Sequence, residues 1–208
     1  AMYPSFIAPA TALMRRCTRG LSRRLSSWFT NPHLCMAHPG QAESVADLPE
    51  GYTLLSSEIS ATDWAQLLDA GGELGPWDEH RLRTETALLV PGTQVFLAHA
   101  GQLVACAGVY ERDPSSWEIG WIAVRPDHRR CGLGEAVTRL AVARAGELSP
   151  RTVLLFTQEH HLGAIRLYLR LGFRPLMRHR SHRRRWLGLA RDLPRELATH
   201  VVSSLKVK

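Results

Sequence analysis

The sequence predicts an α/β or α+β sandwich in which a mixed sheet carries helices on both faces. Three observations lead there. From Gly51 onward, apolar runs of strand length alternate with segments of helical spacing. Two of the runs, Gln94 to His99 and Gln102 to Glu111, are separated by Ala100-Gly101, which reads as a hairpin. Finally, residues 118–134 pass from a β-branched stretch through Arg125-Pro126-Asp127-His128-Arg129-Arg130-Cys131-Gly132-Leu133-Gly134 directly into a helix pattern.

The elements run in order along the chain. Tyr52 to Ile59 reads as a strand, Ala61 to Ala70 as a helix opening after Ser60, and Trp77 to Leu89 as a second helix introduced by Pro76. After the hairpin, Trp117 to Val124 is a strand, and Gly134 to Ala145 is a helix with Ala136, Val137, Leu140, Ala141 and Ala143 along its inner side. Arg151 to Thr157 is an apolar strand, and Leu162 to Leu171 a helix stopped by Gly172. Phe173 to Met177 and His182 to Leu189 are expected as two closing strands.

The chain has 208 residues, 45% of them hydrophobic and 22% charged, which suits one ordered domain and excludes a large multidomain machine. No apolar run reaches the length that spans a bilayer. Cys17, Cys35, Cys106 and Cys131 are scattered, with no C-x-x-C pair, and read as free thiols of a reducing, cytoplasmic setting with no metal site. The net charge of +7 is unevenly placed. Residues 1–42 hold Arg15, Arg16, Arg19, Arg23 and Arg24 and no acid; without them 21 basic residues face 19 acidic ones. Ala1 precedes Met2, which is the expected natural start. Met14, Cys17, Leu21, Leu25 and Trp28 stand at helical spacing among those arginines. Such a basic amphipathic helix fits packing on the main domain, a membrane-surface anchor or a targeting peptide. The expected organisation is a basic extension over 1–50 and the main domain over 51–208. A second basic run, Arg178 to Arg185, reads either as a polyanion-binding segment or as the charged edge of a late strand.

Two constellations carry chemistry. In the first, a strand ends at Pro126, and two glycines then let backbone N–H groups converge where a helix begins. Flanked by Arg129 and Arg130, such a turn suits a phosphate or pyrophosphate, and equally an ordinary solvated strand-to-helix turn. Cys131 within it reads as a small residue tolerated in the turn. In the second, Ala164-Ile165-Arg166-Leu167-Tyr168-Leu169-Arg170-Leu171-Gly172-Phe173, residues Ala164, Tyr168 and Leu171 share nearly one helical face. Tyr168 alone would read as a core tyrosine.

The compound pattern, Arg-x-x-Gly-x-Gly after Val-x-Pro and then Ala-x-x-x-Tyr-x-x-Leu-Gly-Phe, resembles the GNAT superfamily of acyl-CoA-dependent N-acyltransferases. The resemblance covers about Gly51 to Leu189 and is strongest over 118–173. It implies a mixed, mostly antiparallel sheet of seven strands and an N-acetyltransferase domain using acetyl-CoA as co-substrate. It further implies that the coenzyme pyrophosphate is held by Arg129, Arg130, Cys131, Gly132, Leu133, Gly134 and Glu135, and the pantetheine arm and acyl carbonyl by Ile122, Ala123 and Val124, where two parallel strands splay. Tyr168 matches the family tyrosine that protonates the departing thiolate. Ala164 and His161 belong to the coenzyme contacts, His161 standing where the family often has asparagine.

Direct attack by an amine requires removing a proton from an ammonium of pKa about 10.4 while a thiolate leaves. Glu118 is the candidate base, six residues before Val124, the spacing at which some protein-lysine acetyltransferases of the superfamily carry a glutamate. Strand alternation is expected to place Glu118, Gly120, Ile122 and Val124 on one face. A surface carboxylate at the strand entrance is the other reading. Glu111, Asp113, Glu159 and His160 are alternative bases. The family's acceptor site implicates the first two helices, hence Trp77, Asp78 and Glu79, although a core tryptophan and a helix's first-turn acids explain the same residues. The expected partner is a small-molecule or peptide amine. Homodimerisation is left open, a nucleic-acid role through the basic segments is the rival reading, and a membrane partner is not favoured.

Overall fold

A computed structural model describes residues 33–40, 47–56, 59–72 and 75–206. The expected N-terminal amphipathic helix lies outside the described residues. The unit from Leu34 to Lys208 is built on a sheet of seven strands. These are β1 (Leu34–His38), β2 (Tyr52–Leu54), β3 (Val95–His99), β4 (Gln102–Asp113), β5 (Ser116–Val124), β6 (Thr152–Thr157) and β7 (Arg174–Leu176). The helices are α1 (Ala61–Gly71), α2 (Glu79–Glu85), α3 (Leu133–Leu148), α4 (Leu162–Arg170), α5 (His182–Leu189) and α6 (Arg195–Ser204). The strand order is β2-β3-β4-β5-β6-β1-β7, and every neighbouring pair is antiparallel except β5 with β6.

Two cores form, one against each face. Trp64, Leu67 and Leu68 of α1 and Leu82 of α2 pack with Phe96, Cys106 and Ala123. Val137, Ala141 and Ala145 of α3 join Ile165 and Leu169 of α4, Trp186 of α5, Val201 of α6 and the strand residues Leu34, Met36, Leu97, Ala107 and Ile119. α1 starts as its sequence dictates, with the Ser60 hydroxyl accepting from the Asp63 N–H at 3.0 Å. The segment expected as one helix from Trp77 to Leu89 is helical only over Glu79–Glu85. Beyond it Leu89 bridges to Tyr110 on β4, and the Val90 N–H donates to the Val109 carbonyl at 2.8 Å. A tertiary strand contact thus outcompetes the helical pattern.

Two expectations are overturned. His182–Leu189 is a helix, not a closing strand. His182, Trp186 and Leu189 fall at i, i+4 and i+7 and are all buried, so Arg183 and Arg184 lie exposed on the outer side of a helix and not on a strand edge, while the Arg185 side chain is largely covered. Arg185 pairs with Glu159, and the Arg183 guanidinium donates to the Leu205 carbonyl at 2.7 Å. The seventh strand is instead β1, which the sequence placed within the extension. Leu34, Cys35 and Met36 are completely buried, and β1 lies antiparallel between β6 and β7, with Leu34 opposite Thr157 and Cys35 opposite Leu176. The sheet therefore begins at Leu34, upstream of the boundary expected near Gly51.

β5 departs from simple alternation. Gly108 pairs with Gly120 and Cys106 with Ala123, so Trp121 and Ile122 together oppose Ala107. Trp121 has φ +53°, a left-handed backbone rarely taken by a bulky residue. This bulge reverses the facing of the last residues of the strand: Ala123 packs against α1, whereas Ile122 and Val124 pack with the α3 core. Glu118 and Gly120 consequently do not share a face with Ile122 and Val124.

Candidate active site

The parallel pairing of β5 with β6 is short. It runs from Ser116 opposite Thr152 to Glu118 opposite Leu154. Beyond that point β5 continues on β4 as far as Val124, and β6 continues on β1 as far as Thr157. The two strands therefore part after Glu118, and the β6-facing edge of Ile119 to Val124 is left out of the β5/β6 ladder at the C-terminal ends of the strands. That is where a ligand binds in sheets of this kind.

The turn after β5 closes one side of this opening. The Arg125 N–H donates to the Val104 carbonyl at 2.9 Å, and Pro126–His128 makes a short 3₁₀ turn. Arg130 and Gly132 then take φ of +67° and +82°, and α3 starts at Leu133. The first bond of the helix runs from the Ala136 N–H to the Gly132 carbonyl at 3.0 Å. By helix geometry the N–H groups of Leu133, Gly134 and Glu135 precede it and point out of the N-terminus, as an anion requires. At Gly134 this end lies close to its neighbours: a Cβ there would be in ordinary contact, 3.4 Å from Leu167 Cδ2 of α4 and 3.9 Å from Val124 Cγ2 of β5. The turn, the tip of β5 and α4 are thereby brought together.

The side chains of the turn divide. The Arg129 guanidinium donates to the Gly71 carbonyl at 2.8 Å and to the Val124 carbonyl at 3.4 Å, tying the end of α1 to the end of β5. Arg130 and Cys131 are exposed, and Glu135 pairs with Arg139 at 3.0 Å. His161 stands at the N-cap position of α4 without a side-chain cap, its ring centroid 4.1 Å from that of His160, and Ala164 is partly buried against the α3 core. Among the described residues no group of His, Cys, Asp and Glu is arranged to hold a metal ion.

Glu118 sits where the two strands part, opposite Tyr110 on β4, with a side chain 21% exposed. Arg112 pairs with it at 3.2 Å, and the Arg112 guanidinium also lies 5.1 Å from the Phe156 ring centroid on β6. Burial raises the Glu118 pKa above the ordinary glutamate range, with Arg112 and Arg178 opposing the rise. The alternative carboxylates are otherwise engaged. Glu111 pairs with Arg151 at 2.7 Å, hydrogen bonds from the Ser115 hydroxyl and N–H hold Asp113 down to about 2, and Arg185 lowers Glu159. A carboxylate held low is a poor proton acceptor; one held above its usual value is a better base.

Tyr168 is 7% exposed on α4, in the α3-side core, its ring centroid 6.0 Å from that of Phe173. By strand alternation Glu118 faces the α1 and α2 side. The two candidate catalytic groups thus lie on opposite sides of the sheet, and the gap between β5 and β6 connects those sides. The sequence-assigned acceptor residues separate as well. Trp77 is buried against Trp121, at 4.8 Å between ring centroids. Asp78, however, caps α2 by accepting from the Arg81 N–H at 2.7 Å, and Glu79 is held by the Thr62 hydroxyl and by Arg83. Tyr110, Arg112 and Trp121 were not singled out from sequence. The hairpin register could have paired Tyr110 with Glu118, but nothing announces the bulge that turns Trp121 inward.

The chain and its fold resemble known proteins. A curated relative, the mycothiol acetyltransferase of Corynebacterium efficiens, is 30% identical over 109 residues, which is 51% of this chain and 37% of that protein. A GCN5-related N-acetyltransferase from Sphaerobacter thermophilus shares the fold at TM-score 0.56 and 21% identity, over 74% of this chain and 53% of that one. An acetyltransferase from the GNAT family of Novosphingobium aromaticivorans aligns at TM-score 0.53 and 27% identity, over 69% of this chain and 59% of that one. The chain thus spans less than two thirds of the length of each of these proteins. The Acetyltransferase (GNAT) family model matches residues 58–173, the stretch that holds α1, the diverging strands, the glycine turn and Tyr168. With more than half of the chain under that match and the splayed sheet beneath it, the protein belongs to the GNAT family of acetyltransferases.

Proposed function

We propose that the protein is an N-acetyltransferase that moves an acetyl group from acetyl-CoA to a primary amine within a ternary complex. The observation that carries this reading is the joining of a divergent β5/β6 pair to a left-handed glycine turn at the start of α3. The N–H groups of Leu133, Gly134 and Glu135 would receive the pyrophosphate, with Arg130 beside them, while backbone groups of Ile122, Ala123 and Val124 would line the way to the reacting carbonyl. Cys131 and Ala164 border that path, and His161 stands at the N-terminus of α4.

The chain's own groups then act on protons. Glu118 takes one from the attacking ammonium, and its raised pKa reduces the gap to an amine near 10.4. Arg112 stays beside the carboxylate and keeps it available in ionised form. Nitrogen bonds to the thioester carbonyl carbon, the C–S bond breaks, and the Tyr168 hydroxyl protonates the departing sulfur. Acetylation of an amine panel followed by thiol release tests the reading: release that requires both acetyl-CoA and an amine supports it, and release independent of every amine refutes it.

A further inference from the structure

The aromatic cluster on the α1 and α2 side of β4 and β5 holds polar atoms that the fold itself leaves unsatisfied. Trp77 meets Trp121 edge to face at 4.8 Å, and Trp121 meets Tyr110 at 6.4 Å between centroids. The Trp77 Nε1, Trp121 Nε1 and Tyr110 hydroxyl are all buried without a hydrogen-bond partner, and Trp77 as a whole is only 8% exposed. Trp117 donates its Nε1–H to the Ser149 carbonyl at 3.1 Å, whereas the Trp64 and Trp186 indoles are also buried without a partner; what sets Trp77, Trp121 and Tyr110 apart is that their three donors stand in one chain of ring contacts beside Glu118. Leaving one such group dry is costly, and three in a single chain of ring contacts indicate an occupant with acceptor atoms.

Charge defines the rest. Glu118 lies opposite Tyr110 in the β4/β5 register, and burial first, then the negative charges of Glu118 and Glu85, push the Tyr110 hydroxyl above the ordinary phenol range, keeping it protonated as a donor. Arg81 covers one face of Trp77 at 4.0 Å and pairs with Glu85 at 3.2 Å, so that ring face is already taken by a cation. Space over β5 is set by Gly120, where a Cβ would stand 3.2 Å from Tyr110 Cε2, and the bulge turns Trp121 toward the same cluster.

We infer that Trp77, Tyr110 and Trp121 form the acceptor subsite, and that it takes a primary ammonium whose neighbouring carbons bear hydroxyl or carbonyl oxygens. The inference rests on the acetyl-transfer reading above. The oxygens accept from the indole and phenol donors while the ammonium faces Glu118. A bare alkyl amine leaves the donors unpaired, and a site built to hydrogen-bond discriminates strongly against the analogue lacking those atoms. An anionic acceptor would meet the Glu118 carboxylate.

The test compares serinol with isopropylamine, which has the same carbon skeleton without the hydroxyls, and runs alaninamide in parallel as the carbonyl arm. Binding to the protein saturated with coenzyme A is followed by tryptophan fluorescence, and turnover by thiol release. Preference for serinol or alaninamide over isopropylamine by at least about tenfold is expected, and Trp121→Phe and Tyr110→Phe should each shrink that ratio about fivefold or more. The thermal shift given by acetyl-CoA should persist in both variants. Equal binding of all three amines, or variants that weaken all of them alike, would overturn the inference. Absence of an acetyl-CoA thermal shift in the parent protein would instead overturn the acetyl-transfer reading.

Discussion

Gly132→Ala separates the backbone geometry of the turn from its side-chain packing. The residue has φ +82°, and a Cβ there would lie 3.6 Å from Pro49 Cγ, an ordinary contact, so steric overlap contributes nothing. The cost is that of an L-residue held left-handed, about 1–2 kcal/mol. For a domain of this size that lowers Tm by roughly 2–8 °C. Relief of the strain would rotate the peptide groups around residue 132 and disturb the N–H groups at the start of α3. Loss of one hydrogen bond to a charged group, about 1.5–3 kcal/mol, weakens acetyl-CoA binding about ten- to a hundredfold. Gly92→Ala is the matched control, since it has φ +79° and nothing within 4 Å of the added Cβ. Calorimetric titration with acetyl-CoA and thermal melts of both variants provide the readouts. Similar destabilisation is expected in both, with affinity lost only in Gly132→Ala. Unchanged affinity in Gly132→Ala, or equal loss in both variants, would refute the role given to the turn.

Other perturbations address the remaining groups. Glu118→Gln should cut kcat and remove the limb of the pH–rate profile that reports a raised carboxylate; a parallel profile would exclude Glu118 as the base. Its stability signature has a definite sign. Because burial raises the folded pKa, the contribution of Glu118 is present below the ordinary glutamate value of about 4.3 and fades as pH rises through the folded value. Melts of the Gln variant should therefore improve relative to the parent as pH rises over that window, and the opposite trend would show that Arg112 dominates. Tyr168→Phe should lower kcat with little change in acetyl-CoA affinity; an unchanged rate would remove Tyr168 from the chemistry. A soluble maleimide should label exposed Cys131 and spare Cys35 and Cys106, whose burial pushes their thiols up to about 11 and about 12. Acetyl-CoA should protect Cys131, and labelling at the same rate with and without coenzyme would place the ligand elsewhere. Trp186→Ala should cost about 3–5 kcal/mol in denaturant unfolding, whereas a loss below about 1 kcal/mol would contradict burial of α5.

Local chemistry made much of this molecule legible. The Ser60 cap, the Ala100-Gly101 hairpin and the glycines after Arg130 each act within a few residues, and each stands where the pattern placed it. Long-range pairing was less accessible. Leu34–His38 is a short apolar run in a basic context, and its place between β6 and β7 depends on partners more than a hundred residues away. In α5 the basic run Arg178 to Arg185 suggests a charged strand edge, whereas the spacing of His182, Trp186 and Leu189 marks a helix. Within the candidate site, Glu118 is suggested by its spacing six residues before Val124. Trp121 is not, because its bulge arises from the pairing of β4 with β5 and puts a tryptophan in a conformation no local signal favours.

The central claim is that the cleft between β5 and β6, closed by the α3 turn, presents acetyl-CoA to an amine. Time-resolved thiol release with serinol, alaninamide and isopropylamine, coupled to mass analysis of the amine, tests it most directly. One thiol released for each acetyl group gained by an amine, abolished in Gly132→Glu, is the predicted result. Acetyl-CoA that binds but yields no acetylated amine, or release that persists in Gly132→Glu, would contradict it.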